Sequence, residues 1–257
     1  MLQQRARVAA EDRTSSRIAG KTARPVWAGS TLCALVLSLQ AVCGWSQAPS
    51  AGSAPNVIFG AFNVSSPLPC INLMQTAMGS SGLTRDYASV SAVIGHASNV
   101  SAAITCFSIH GNDDKRVVVF TVSTLPATTV WFRNDLGLRV RQAAAGKPAS
   151  GIGGAAPTTG LGQPIQLGTF AQEDTIPSLM SKANYALYRA DLRTGQKLQT
   201  ELLGSNPRAG VVVAWASVGN DNKPRQFVSV FASSSVSATA EYYRNTVRAS
   251  IVNARSY

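Results

Sequence analysis

Two stretches of the sequence decide the fold: GNDDKRVVVFTV at 111–122 and GNDNKPRQFVSVFA at 219–232. Each begins with a Gly-Asn-Asp segment and continues into β-branched or aromatic residues, a pattern typical of a hairpin turn followed by a strand. The same residues also suggest a calcium loop, but they lack the alternating ligands and the distal Glu of an EF-hand. The two stretches therefore predict two related hairpins.

Other landmarks accompany both stretches in the same order, at a nearly constant offset of 106 to 111 residues. They pair Ile58–Phe62 with Gln166–Phe170, Leu73-Met74 with Leu179-Met180, and Phe132-Arg133-Asn134 with Tyr243-Arg244-Asn245. A shared order and offset indicate a tandem repeat. The sequence thus divides into a first module (54–142), an Ala/Gly/Pro-rich linker (143–162) that we expect to be flexible, and a second module (163–257).

Each module is predicted to be α+β in the order β-α-β-β-β-α, with a small antiparallel sheet covered by helices. In the second module a helix capped by Asp174 or Thr175 runs to about Leu192 and ends at Gly195. Strands are predicted at 165–170, 197–203, 210–218 and 226–232, and in the first module near 87–94, 100–108 and 116–122.

The closing helix of each module carries one apolar stripe at helical spacing. The stripes consist of Thr129, Phe132, Leu136, Val140 and Ala143 in the first module, and of Ala240, Tyr243, Val247, Ile251 and Ala254 in the second. Arg133 and Arg244 fall at the edge of these stripes. Either they bind an anion in each module, or they pack and tie the helix to the rest of its module, which we favour. Trp131 and Tyr242 are predicted nearly opposite the stripe, where both rings would be exposed unless the modules pack on each other or on a partner.

The first 46 residues predict a signal peptide. A basic segment precedes the apolar run TLCALVLSLQAV at 31–42, and small residues follow it. The run is shorter than the roughly 20 residues of a spanning helix. Cleavage is expected before Gln47, with an uncleaved N-terminal anchor or a lipid-modified Cys43 as alternatives. The mature chain then keeps Cys70 and Cys106, which we expect to form a disulfide because an exported chain is oxidised.

Composition and motifs narrow the class of function. The chain is 45% apolar and 14% charged, with a formal net charge of +11, which excludes a disordered or polytopic membrane protein. Its two histidines, His96 and His110, lack metal-ligand spacing. No catalytic, phosphate-binding or dinucleotide-binding motif is present, so we predict no catalytic residue, no metal and no cofactor.

The sequence thus predicts a periplasmic or secreted, non-catalytic module for binding, scaffolding or assembly in the cell envelope. Its candidate binding residues are Arg133, Arg244, Trp131 and Tyr242, and its partner is a protein or an anionic envelope component. No nucleic acid is expected, because no dense basic run with interleaved aromatics occurs. Membrane contact is expected only transiently, through the leader.

Two alternatives stay open. One is an enzyme with a site between the two modules, drawing on Arg133, Arg244, Asp113, Asp221 or His110. The other is a secreted inhibitor. A deep cleft with converging polar groups would favour the enzyme, whereas a flat aromatic surface or an exposed sheet edge would favour a binding protein.

Overall fold

The computed structural model describes residues 55–110, 113–218 and 225–254. These residues belong to one compact unit. The expected leader, the Gly111-Asn112 and 219–222 turn segments and the side chain of His110 lie outside the described residues. Within the described ranges, no helix is both long enough and apolar enough to span a bilayer.

Both modules are α+β, as predicted, and both follow the same element order. The first contains β1 (Asn56–Ser65), α1 (Cys70–Ser80), β2 (Thr84–Ala88), β3 (Ala92–Ala97), β4 (Val100–His110), β5 (Asp114–Ser123) and α2 (Pro126–Ala144). The second contains β6 (Ile165–Gln172), α3 (Ile176–Arg189), β7 (Arg193–Lys197), β8 (Glu201–Ser205), β9 (Gly210–Val218), β10 (Arg225–Ser233) and α4 (Ser237–Asn253). The antiparallel sheets have the orders β1-β5-β4-β3-β2 and β6-β10-β9-β8-β7.

Four strands, rather than the predicted three, separate the two helices of each module. The predicted strand at 87–94 covers the end of β2, a turn and the start of β3. The predicted strand at 197–203 likewise covers the end of β7, a turn and the start of β8. The missed strands, β2 and β7, are sheet edges in which every residue is exposed. They therefore carry no alternation of buried and exposed residues from which a sequence pattern could reveal them.

The end of α3 also differs from the prediction. The helix stops at Arg189, and Asp191 then takes a left-handed backbone conformation with φ of 56°. Asp tolerates this conformation better than most residues, so it supplies the reversal that the sequence analysis assigned to a glycine. Gly195 lies instead within β7. The predicted cap is confirmed, because Thr175 accepts a hydrogen bond from the Ser178 backbone N–H at 3.3 Å.

The molecule is built in four layers. Helices α1 and α2 cover one face of the first sheet, helices α3 and α4 cover one face of the second, and the two remaining faces pack together. At their centre the rings of Phe120 and Phe231 stack with centroids 5.0 Å apart. Both phenylalanines are fully buried, so the two modules share a core.

A polar contact also joins the two sheets. Arg116 Nη2 donates to Glu201 Oε1 at 2.7 Å and to Thr200 Oγ1 at 3.0 Å. Glu201 is fully buried, and Arg116 is the cation paired with its carboxylate. Losing one member of such a pair costs far more than losing both, which makes the contact a constraint on how the sheets sit together.

The first helix of each module is fastened differently. Cys70, the first residue of α1, forms the expected disulfide with Cys106 of β4, with Cα atoms 5.5 Å apart. Cys106 lies opposite Val117, and the register-equivalent position in the second sheet, opposite Val228, holds Trp215. Trp215 is 1% exposed and packs in the core under α3. A covalent link in one module corresponds to a large apolar side chain in the other.

The segment between the modules makes specific contacts with the first module. The Thr159 carbonyl accepts a hydrogen bond from Thr128 Oγ1 at 2.9 Å, and the Leu161 carbonyl accepts one from the Thr124 backbone N–H at 3.0 Å. Gly162 forms an isolated antiparallel bridge with Ser123. These contacts lie near the end of the predicted linker, and Ala149 and Ile152 within it also bond to α2. The flexibility of the linker between these contacts stays a prediction.

Candidate functional site

The repeated arginines lie against the repeated glycines of the first strands. A Cβ atom added to Gly60 would lie 2.8 Å from Arg133 Cδ, and one added to Gly168 would lie 3.5 Å from Arg244 Cδ. In both modules the arginine stem thus crosses β1 or β6 where a glycine leaves room for it. The two landmarks matched in the sequence are spatial neighbours, and this explains why they recur together.

In the second module the guanidinium of Arg244 is hydrogen-bonded to neighbouring residues. Arg244 Nη1 donates to the Leu167 carbonyl at 3.3 Å, and its Nη2 donates to Asn245 Oδ1 at 2.9 Å and to Glu241 Oε1 at 3.4 Å. The bond to Leu167 ties α4 to β6, whereas Asn245 and Glu241 lie on α4 itself. The contacts of Arg244 match the structural interpretation favoured from the sequence.

In the first module the equivalent arginine has no such partners. Arg133 Nε is buried without a hydrogen bond, and among the described residues its guanidinium makes no ion pair. The position that holds Glu241 on α4 is occupied by Val130 on α2. An unsatisfied buried donor costs roughly 1–3 kcal/mol. The two arginines share a place in the fold but not a chemical environment.

A pocket of about 350 Å³ opens beside Arg133. We call it the Arg133 pocket; its side-chain walls include Phe62, Arg133, Asn134, Leu138, Arg141 and Ile152. The Arg141 guanidinium lies 4.5 Å from the centroid of the Phe62 ring, a cation–π distance. No carboxylate lines the pocket among the described residues. It therefore combines two cations with apolar walls.

One wall of the pocket belongs to the predicted linker. We call residues 149–152 the strap, because Asp135 Oδ1 accepts a hydrogen bond from the Ile152 backbone N–H at 3.1 Å. Asp135 is fully buried and also binds Arg139 Nε at 2.7 Å, while Arg139 Nη1 donates to the Ala149 carbonyl at 3.0 Å. Asp135, the carboxylate closest in sequence to Arg133, thus bonds to the strap and to Arg139.

Glycine is required in the strap for a steric reason. A Cβ atom on Gly151 would lie 2.6 Å from Arg139 Nη2 and 2.8 Å from Asp135 Oδ1. Both distances are below what real Cβ contacts show, so a larger residue would push the strap away from α2. The glycine-rich composition of the linker predicts flexibility, but at Gly151 it also allows the strap to pack closely against α2.

The predicted exposure of Trp131 and Tyr242 is wrong. Both side chains are half-buried against the cores of their own modules. Their rings meet those of Phe132 and Tyr243 edge to face, with centroids 4.8 and 5.4 Å apart. The closing helices pack against α1 and α3 as well as against a sheet, so their buried face is wider than one stripe. A role for either ring in binding stays a prediction.

Of the residues suggested for an enzymatic site, Asp221 and the side chain of His110 lie outside the described residues. Asp113 is exposed at the start of the β5 hairpin and does not line the Arg133 pocket. His96 pairs with Asp86 at 2.8 Å, a contact that sequence reasoning missed. In the parts of the chain that are described, no group of three or more His, Cys, Asp or Glu side chains could hold a metal.

Comparison with known proteins identifies no family. No protein-family model and no curated protein matches the sequence. Among solved structures, DynU16 from the dynemicin biosynthetic locus aligns at 9% identity over 75% of this chain and 95% of its own, with a TM-score of 0.26. The di-domain ARO/CYC StfQ from the steffimycin pathway aligns at 7% identity over 76% and 94%, with a TM-score of 0.24. Likenesses at this level carry no argument about function.

Proposed function

We propose that this protein is a non-catalytic binding protein of the cell envelope, whose first module holds a small ligand with an acidic group and an apolar body. Export rests on the leader pattern of the sequence. The binding function rests on one observation: Arg133 lines a pocket without a partner, although its counterpart Arg244 is fully bonded.

The chemistry of the pocket selects the ligand class. A guanidinium is matched best by a carboxylate or phosphate, which accepts two parallel N–H bonds and carries the opposite charge. Arg141 adds a second cation, and Phe62, Leu138 and Ile152 supply apolar surface for the rest of the ligand. A volume of about 350 Å³ falls at the small end of the usual range for ligand pockets.

We further propose that the two modules are a tandem duplication, with boundaries near 54–142 and 163–257. The shared strand order and the equivalent positions of the Gly–Arg contact support this proposal. In this account Arg244 stabilises the second module, whereas Arg133 of the first module is available to bind a ligand. Glu241 of α4 accepts a hydrogen bond from Arg244, whereas the equivalent residue of α2, Val130, has no side-chain acceptor.

The test uses two ligands with the same chain length, of which one ends in a carboxylate and the other in a neutral hydroxyl. Isothermal titration calorimetry should show that octanoate binds the wild-type protein at least tenfold more tightly than 1-octanol. Arg133→Ala should weaken octanoate binding at least tenfold, and added salt should weaken wild-type binding because the contact is ionic. Arg244→Ala, the matched control, should bind octanoate like the wild type. Equal binding of octanoate and 1-octanol, or an unaffected Arg133→Ala variant, would overturn the proposal.

A further inference from the structure

A second cavity lies between the two sheets, away from the Arg133 pocket. It has a volume of about 610 Å³ and is bounded by β2 and β3 of the first module and by β6 of the second. We call it the inter-sheet cleft; Asp86, Tyr87, His96, Ser101, Gln163 and Gln166 are among its walls. Tyr87 and Gln166 also line an adjoining hollow of about 330 Å³.

The cleft walls combine polar side chains with apolar ones such as Ile94 and Ile165, and they contain no lysine or arginine among the described residues. Their one carboxylate belongs to Asp86, the extra residue of a β-bulge, which has no partner on β3. His96 Nδ1 lies 2.8 Å from both Asp86 oxygens and donates to them. This bond orients the imidazole and leaves Nε2 available to a ligand.

A buried amide in the cleft wall lacks a partner. Gln163 is 6% exposed, and its Oε1 is buried with no hydrogen bond inside the described chain. The neighbouring Gln166 is oriented by its Nε2, which donates to Ser237 Oγ at 3.1 Å, so its oxygen stays free to accept. Buried acceptors are normally satisfied, and Gln163 therefore calls for a donor supplied from the cleft.

An aromatic side chain borders the same polar groups. Tyr87 is 51% exposed, although it lies in the wall of a cavity. Its ring offers an apolar face, and its hydroxyl can donate or accept a hydrogen bond. The cleft thus places one flat apolar surface beside several hydroxyl and amide groups.

From this arrangement we infer that the inter-sheet cleft binds a neutral, polyhydroxylated ligand, namely a short saccharide. Sugar hydroxyls can donate hydrogen bonds to Gln163 Oε1, to the Asp86 carboxylate and to His96 Nε2, which accepts because Nδ1 carries the proton. The C–H face of a pyranose ring packs on an exposed aromatic face such as Tyr87. An anionic ligand would find no cation, and an apolar ligand would leave the buried amide unpaired.

The test uses chitotriose and maltotriose as probes on the full mature chain. Titration followed by NMR should show that at least one trisaccharide binds with a Kd in the millimolar range or below, and that it shifts the Gln163 side-chain amide signals. Tyr87→Ala and Gln163→Leu should each weaken that binding at least fivefold. Tyr188→Ala, which changes a 76% exposed tyrosine on α3, is the matched control and should bind like the wild type.

The result is independent of the Arg133 pocket, because Arg133→Ala should leave saccharide binding unchanged. Tyr87→Ala keeps the test valid if Gln163→Leu fails to fold, since Tyr87 is half exposed on an edge strand. Absence of binding by both trisaccharides at millimolar concentration would overturn the inference. Binding that neither variant weakens would overturn it equally.

Discussion

The two modules have the same strand order and the same register between their first and last strands, yet they satisfy two equivalent positions with different chemistry. The first helix is held by a disulfide in the first module and packs over a buried tryptophan in the second. The closing-helix arginine is unpartnered in the first and bonded in the second. Residues at equivalent positions of the two modules therefore need not have the same role. Their neighbours determine whether such a residue stabilises the fold or remains available to a ligand.

The largest expected effect lies at the fastening of the second module. Trp215→Ala should lower the free energy of unfolding by about 3–5 kcal/mol, because it removes a fully buried aromatic side chain and leaves a cavity. Urea denaturation measures the change. Trp131→Ala is the control, since that ring is only half-buried and its loss should cost less. A loss below about 1 kcal/mol for Trp215→Ala would contradict its role as a core residue.

The disulfide should have the next largest effect. Replacing Cys70 and Cys106 together with alanine releases a loop closed over 36 residues. The free energy of unfolding should fall by about 2–4 kcal/mol, because the unfolded chain gains freedom. Urea denaturation of the double variant beside oxidised wild type checks this. Equal stability of the two proteins would show that the first module does not need its covalent fastening.

Gly151→Ala tests the role of the strap. Among the described residues, the strap lines a pocket of the first module only. The added methyl group meets Arg139 and Asp135, so we expect a loss of about 1–2 kcal/mol and faster hydrogen exchange of the Ile152 amide. Gly79→Ala is the control, because its Cβ would meet nothing within 4 Å. Unchanged protection of Ile152 in Gly151→Ala would contradict the docked strap.

Much of this fold is readable from sequence, and the limits have physical causes. Periodicity reveals elements that bury one face, and it identified the α+β class and the closing helices, while the count of cysteines left after the leader predicted the disulfide. It missed β2 and β7 because all their residues are exposed. The Arg133 pocket depends on the packing of the Arg133 stem over Gly60 and on the docking of the strap against α2, which no sequence pattern reveals. The inter-sheet cleft joins His96 and Gln163, which only the packing of the sheets brings together.

The smallest expected effect on stability separates the two arginines. Arg244→Ala should cost about 1 kcal/mol, since it removes the hydrogen bond between α4 and β6 from a partly exposed side chain. Arg133→Ala removes an unsatisfied buried donor and also the packing of its stem over Gly60, two effects of opposite sign, so its stability should stay within about 0.5 kcal/mol of the wild type. Urea denaturation of the two variants in parallel measures both. Equal losses would mean that both arginines serve the architecture.

The most direct measurement of the central claim is the rise in Tm that saturating octanoate produces in the wild type, Arg133→Ala and Arg244→Ala. A ligand that binds only the folded state raises its stability, so the rise reports binding even where the variants differ in their own Tm. The division between the modules predicts the same rise for the wild type and Arg244→Ala, and none for Arg133→Ala. A full rise in Arg133→Ala would contradict it.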